Sequence, residues 1–521
     1  MAMDGTLLIE GAMVYDHDGD TDHPPVADIL IRDGRVLAVE PGLGAAARAG
    51  EDHPLRQAVL AATRIEGRGR LALPGFFNAH YHSHDTLLKG AFETLPLELW
   101  GLYALPPSYP RRSREELVAR TLIGAVECLL SGITTVQDMD RIHPYDEGDM
   151  AAVLEAYDRV GIRCVFAPHF AEVPLVEATP FWADCIPAAE QWRVNGPAGP
   201  LFPPGEDIVP RLLAAIAPHR GRYERITFGL GPSSPERLRR RTLEQLAEAS
   251  QAQDLPIYIH VNESRAMAVH GLQHLQEFGG SQIRYLESCG LLGPRLSLAH
   301  SVWLTEQEVA LIAERGASVA LNPVGNLKTR SGVAPFRRFL EGGVNVGLGC
   351  DNCSCSDAQN MFKAMNMFCS LAAIADPMPG RPTAADALRC ACCGGAKVAG
   401  LGDELGHIRP GYKADLLLLD LDDPSFLPLN SAARQVVYTE GGRAVRTVIV
   451  DGRVVVEDGR ITTIDMDALR RTVHDLGRAL RCDAVAVAER LDPIRGHLLD
   501  AVRRSWEVPM PMMQCLPGEP R

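Results

Sequence analysis

Nowhere does the chain carry a tract of Lys and Arg dense enough to follow a phosphate backbone, and its formal net charge is −14. That balance argues against a nucleic-acid partner and leaves a small molecule as the expected ligand. No apolar run approaches the roughly 18 residues that a membrane helix needs, so no membrane partner is expected. The opening "MAMDGTLLIEGAMVYDHDGD" lacks both a basic n-region and a sustained apolar h-region. No signal peptide is therefore expected, and a cytoplasmic location is. The 13 cysteines are odd in number and lack framework spacing, which points to reduced thiols rather than a disulfide scaffold. Internal repeats and low-complexity tracts are missing too.

What is present reads as an ordinary globular chain, 46% hydrophobic and 23% charged. At roughly 100–200 residues per domain, its 521 residues suggest two to four domains. Residues 5–70 read as short strands, and "RDGR" is a hairpin signal because Asp-Gly supplies the positive φ of a tight turn. The same style returns at 413–465 with "VDGR". Two β-rich ends around a long middle predict a small composite β-sandwich domain from residues 1–70 plus 408–465. Between them, about 71–407, apolar strand candidates alternate with amphipathic helices such as "REELVARTLIGAVECLLSG" and "TEQEVALIAERG". Eight strand-helix units predict an α/β fold, a (β/α)8 TIM barrel whose buried strands read as continuous apolar runs. Residues 171–210, rich in Pro and Gly, read as a loop inserted near the barrel mouth. Residues 466–521 read as a helical extension with an irregular tail.

In such a barrel, chemistry sits where strands end at the C-terminal face. Polar residues found there are His80 and His82 on strand 1, His169 on strand 3, and His260 with Glu263 on strand 5. Strand 6 adds His300, strand 7 adds Asn322 and Asn326, and strand 8 adds Asp351. Burying so many unpaired polar groups would cost several kcal/mol. A metal removes the difficulty, and imidazole with carboxylate suits Zn²⁺ or Fe²⁺ better than Mg²⁺ or Ca²⁺.

The motifs "LPGFFNAHYH…LLKG", "HVNES", "LAHSVWL", "NPVGNLKTRSG", "VGLGCD…MF" and "GHIRPGYKADLLLLD" resemble the amidohydrolase superfamily. Within it they are most similar to the mononuclear aminohydrolases acting on nitrogen heterocycles, a branch that includes cytosine, guanine and S-adenosylhomocysteine deaminases and triazine hydrolases. The resemblance implies that His80 and His82 are the strand-1 metal pair, with His260 and Asp351 completing the ligand set. It implies one divalent transition metal, Zn²⁺ first and Fe²⁺ as the alternative, because the fourth strand has no lysine to bridge two ions. It also implies that His300 bonds the water or tetrahedral oxygen and that Glu263 shuttles a proton to a ring nitrogen. A metal lowers the pKa of bound water from about 15.7 toward about 7, which supplies hydroxide near neutrality. Asp351 can take that water's proton. Glu263 then has to be protonated at one stage, so a raised pKa is expected. Relatives of this kind are often homo-oligomers, and a dimer or larger is expected by resemblance.

The pattern departs from the family in places. Nucleoside-type members carry a histidine after strand 4, where this chain has Ser233 and Ser234. That weighs against a purine nucleoside and leaves room for another heterocycle or leaving group. Glu93, Glu98 and Trp100 either line the pocket or belong to an ordinary loop. Cys350 should face the core, while Cys353 and Cys355 lie in the loop beyond Asp351, facing or near the pocket. The run Cys390 to Cys393 reads as helix packing. His143, His219, His270, His274 and His407 have surface or helical contexts. His169 contacts the pocket or makes a structural hydrogen bond. For His84 the choice is a bond within its loop or a reach to the substrate or water. Three functions follow in order: a hydrolytic deaminase, a hydrolase expelling chloride, an alkylamine or a ring-opened amide, and a non-catalytic scaffold. The other zinc-deaminase signature, H-x-E…P-C-x-x-C, is absent.

Overall fold

The computed structural model describes residues 5–104, 112–141, 147–195, 207–375 and 378–511. In its middle part the parallel strands, in chain order, are Phe76–His82, Ile133–Asp138, Arg163–Phe166, Ile226–Phe228, Ile257–Val261, Leu296–His300, Ser318–Leu321 and Asn345–Leu348. They form two sheets. One runs Ile226–Phe228, Arg163–Phe166, Ile133–Asp138, Phe76–His82 and then the short Asp351–Asn352. The other holds the fifth to eighth strands in sequence order. A parallel bridge from Leu230 to Ile257 links them on one side. On the other side the chain leaves the eighth strand and pairs Asp351 with Tyr81 and Asn352 with His82. The fold is TIM-barrel-like α/β.

Every residue of the first strand is buried, which is why "FFNAHYH" shows no simple polar alternation. Helices between the strands start where the sequence caps them. Ser113 accepts from the Glu116 amide ahead of Arg114–Leu130. Thr305 and Glu308 form a reciprocal capping box ahead of Glu306–Arg315.

The two β-rich ends join in one nine-stranded mixed sheet. Its junction is the antiparallel pair Leu416–Asp420 with Arg70–Pro74. Both Asp-Gly turns sit in left-handed backbone, with φ 52° and 73° at Asp33 and Gly34 and 54° and 72° at Asp451 and Gly452. Ile9, Ile29, Ile31, Leu416, Leu418 and Ile449 form its own apolar cluster.

Beyond the sheet, Asp465 caps the helix Met466–Leu491, and Arg495–Glu507 follows. Val487, Leu491, Ile494 and Leu498 from these helices pack on Leu99, Leu102, Trp182 and Ile186. The C-terminal extension thus buttresses segments that reach the strand ends. Of the 171–210 stretch, residues 196–206 lie outside the described residues, and the part before them holds the short helices Leu175–Ala178, Trp182–Cys185 and Trp192–Asn195. Twelve described cysteines are all free thiols. Cys390–Gly394 is a buried π-turn within a longer helical stretch. His143 and Cys515 lie outside the described residues. Among the described residues, no helix is long and apolar enough to cross a membrane.

Candidate active site

Strand alternation aims His80 and His82 to one side, and their ring nitrogens meet that of His260 from the fifth strand. His82 Nε2 lies 3.2 Å from His80 Nε2 and 3.2 Å from His260 Nε2. The far nitrogens are anchored: His82 Nδ1 is 2.8 Å from the Met139 carbonyl, and His260 Nδ1 is 2.6 Å from the Ser233 carbonyl. A carbonyl only accepts, so each Nδ1 carries the proton and each Nε2 presents a lone pair. Burial, ahead of neighbouring histidines, pushes both rings down to about 3, which opposes a second proton. Lone pairs facing one another at this distance repel unless a cation lies between them. Asp351 Oδ1 faces the same point, 3.5 Å from His80 Nε2 and 3.7 Å from His82 Nε2. Three imidazoles and one carboxylate fit a divalent transition metal by donor type and by these lone pairs.

Next to this set, Glu263 Oε2 lies 3.3 Å from His300 Nε2. Burial first, then the nearby Asp351 and Glu98, hold the Glu263 carboxyl well above the usual carboxylate range. His300 Nδ1 is 2.8 Å from Asn326 Oδ1 and 3.3 Å from Asn322 Nδ2. The shorter contact goes to an acceptor and places the proton on Nδ1, leaving Nε2 free to accept. Asp351 Oδ1 accepts from the Asn352 amide at 2.8 Å, and Oδ2 accepts from the Cys355 thiol at 3.3 Å.

The backbone is strained at the same place. Asn262, His300, Ser301 and Asp351 have φ of 46°, 68°, 49° and 62°. A non-glycine residue there costs about 1–3 kcal/mol, and such strain gathers at functional sites. Gly349 allows the close approach of neighbouring strands, since a Cβ there would come within 2.3 Å of Asn322 Oδ1 and 2.9 Å of the His80 Cβ.

A cavity opens over the cluster. His82, His260, Glu263, His300 and Asp351 line its floor, and His84, Glu98, Trp100, His169, Ser233 and Ser234 line its walls. Trp100 is fixed by Nε1 donating to Ser354 Oγ at 3.0 Å. The chain leaves the strand at His82 and turns through Ser83–Leu88. That turn brings His84 to the cavity, its Nδ1 3.8 Å from Asp140 Oδ1 and its Nε2 3.5 Å from Asn352 Nδ2. Both ring nitrogens of His169 are buried without a hydrogen-bond partner among the described residues.

Other candidates sit elsewhere. Asn322 and Asn326 flank His300 behind the floor rather than lining the cavity. Cys353 begins a short helix, Cys353–Ser356, and is wholly buried between Thr86 and Gln359, away from the cavity. Cys350 packs in the main apolar core. Glu93 is exposed. His219, His270, His274 and His407 do not line the cavity.

Arg141, Glu236, Arg237 and Met267 line it without having been singled out by sequence. Two of them carried a usable signal. Arg141 follows the second strand and Arg237 follows the fourth, at the strand ends where His and Asp were sought.

With this geometry in view, comparison with known proteins is informative. Residues 71–455 match the amidohydrolase family model. The chain belongs to the amidohydrolase family. This amidohydrolase is similar to a 5-methylthioadenosine/S-adenosylhomocysteine deaminase of Nitratidesulfovibrio vulgaris, 32% identical over 91% of this chain and 97% of that one. It is also similar to a 5'-deoxyadenosine deaminase of Methanothermobacter thermautotrophicus, 30% identical over 88% and 95%. Its fold resembles a zinc-bound adenosine deaminase from Xanthomonas campestris, with TM-score 0.75, 24% identity and coverage of 91% and 98%. A zinc-containing atrazine chlorohydrolase from Arthrobacter aurescens gives TM-score 0.74 at 23% identity, covering 90% of this chain and all of that one (100%).

Proposed function

We propose that this amidohydrolase is a metal-dependent deaminase of a nitrogen-heterocyclic small molecule, in which water adds to a ring C=N carbon and ammonia leaves. The observation that carries it is the meeting of the His82 and His260 Nε2 lone pairs with His80 Nε2 and Asp351. Those four residues would hold one divalent ion, zinc first and iron as the alternative. Bound there, the ion supplies an acidified attacking water at neutral pH. Asp351, beside that point, would take the proton of the attacking water. Glu263, kept protonated by burial, delivers a proton from its carboxyl to the ring nitrogen, so that charge does not build up on the ring. His300 Nε2, kept neutral by burial and oriented by Asn326, stands beside Glu263 as an acceptor. The carboxylate that Glu263 becomes would next take the proton of the added hydroxyl and pass it to the departing nitrogen, which leaves as ammonia, and the proton held by Asp351 would restore the Glu263 carboxyl. His84, Trp100 and His169 hold the heterocycle over the floor. The deaminase names of relatives covering most of the chain support this reading.

Ser233 and Ser234 at the cavity wall favour a second reading, in which the same machinery expels a different leaving group. Ammonia assays on a panel of aminated heterocycles, run on zinc-loaded protein, separate the two. Turnover with ammonia is expected. Turnover without ammonia selects the second reading, and absence of both turnover and bound metal overturns both.

The same proposal includes the architecture around the site. The Leu230–Ile257 bridge and the Asp351–Tyr81 pairing support closure of residues 71–407 into an eight-stranded barrel. The joint sheet of both ends supports a composite sandwich of 1–70 with 408–465, and the two terminal helices support a separate extension over 466–521. A homo-oligomer in the cytoplasm remains part of this reading.

A further inference from the structure

We infer that Cys355 is a positioning residue for the metal site, whose thiol fixes the plane of the Asp351 carboxylate so that Oδ1 stays turned toward His80 and His82. The inference rests on the metal-dependent reading and deepens it.

The Asp351 backbone is held without Cys355. Its carbonyl accepts from Gln359 Nε2 at 2.9 Å, and the residue pairs with Tyr81 of the first strand. The carboxylate needs its own anchor, because the terminal torsion of an aspartate is broad and roughly two-fold. One contact, from the Asn352 amide to Oδ1 at 2.8 Å, leaves the group free to swing about that oxygen. Cys355 Sγ, 3.3 Å from Oδ2, supplies the second contact and fixes the plane. Two acceptors compete for the thiol proton, Asp351 Oδ2 and the Asn352 carbonyl at 3.2 Å. A carboxylate that holds a cation is ionised, and a hydrogen bond to a charged acceptor is roughly twice as strong as one to a neutral acceptor. A thiol is nevertheless a weak donor, so it orients the carboxylate while leaving the negative charge available to the cation.

The surroundings hold this contact in place. The short helix Cys353–Ser356 is pinned at its start by Asp85, which accepts from the Cys353 and Ser354 amides at 3.0 and 2.9 Å and from Ser354 Oγ at 2.5 Å. Cys355 itself is only 1% exposed. Gly325 backs the pair: a Cβ there would come within 2.9 Å of Asp351 Oδ2 and 3.2 Å of Cys355 Sγ. The bare glycine thus leaves the room that carboxylate and thiol occupy together. Cys355 also packs on Trp100 and Ala104. A residue that merely supported the Trp100 wall would act on substrate binding, whereas one that orients Asp351 acts on the metal.

Zinc affinity by competition with a chromogenic chelator, and the visible spectrum of the cobalt-substituted protein, distinguish these roles. Cys355→Ala and Cys355→Val both remove the donor, and the second keeps the space filled. Each should weaken zinc binding by about 10–100-fold, the span for groups that orient metal ligands, and shift the cobalt ligand-field bands. Cys355→Ser keeps a donor and should restore affinity and spectrum. On the aminated heterocycle that turns over fastest, at saturating zinc, the donor-free variants should lower kcat with KM unchanged. Wild-type zinc affinity and cobalt spectrum in both donor-free variants would overturn the inference. A rise in KM alone would also overturn it and assign Cys355 to the Trp100 wall. The metal readouts decide the matter even where no heterocycle releases ammonia, which would count against the deaminase reading instead. Wild-type protein that takes up no zinc would end the metal-dependent reading, and this inference with it.

Discussion

At the start of the strand Arg163–Phe166, the Arg163 guanidinium meets Asp415 twice, at 2.9 and 3.0 Å, and Asp451 once, at 3.0 Å. The Asp451 amide also donates to Asp415 at 2.8 Å. Donors and acceptors match, and the group ties the strands to the composite sheet without outside help. At the opposite ends of the strands, His80, His82 and His260 are just as deep in polar company, yet the acceptor nitrogens of His82 and His260 face each other. Burial of charge is therefore not the signal of function here. The signal is a mismatch that only an added cation resolves.

Substitutions can break that contrast, and they are ordered here by expected effect on turnover. His260→Ala should lose metal and turnover together, a fall beyond the roughly 10–100-fold typical of residues that only support ligands. Metal analysis and kcat/KM on the same preparation check it. Glu263→Gln should keep the metal but lower kcat by about 10²–10⁴-fold, the span of a general acid–base group. Asn326→Ala frees the His300 ring to change tautomer and should cost about 10–100-fold with metal content unchanged. Arg163→Met should leave turnover per folded molecule intact. It instead removes about 3–5 kcal/mol of stability by stranding buried carboxylates, measured by urea unfolding. If Arg163→Met lost metal, or His260→Ala lost mainly stability, the two regions would not differ as described.

The order of strands and the hairpins were legible because they depend on local pattern. Continuous apolar runs, Asp-Gly turns and cap residues such as Thr305 each act within a few positions. His80, His82, His260 and Asp351 were legible as polar interruptions at strand ends and through family resemblance. Other features depend on contacts between distant segments and left no local trace. Cys353 looked like a pocket residue until a helical turn carried it under Thr86 and Gln359. Asn322 and Asn326 stood out as polar residues at the end of strand 7, and they grip the far side of His300. Arg237 owes its position to Val173, 64 residues earlier in the chain.

The central claim is that the facing histidines are completed by one metal ion that the deamination requires. Chelator-treated protein titrated with zinc, with bound metal and ammonia release followed on the same samples, tests it most directly. The account predicts uptake of about one ion per chain, with activity rising in proportion and saturating at that point. Full ammonia release from metal-free protein, or zinc uptake untouched by His260→Ala, would contradict it.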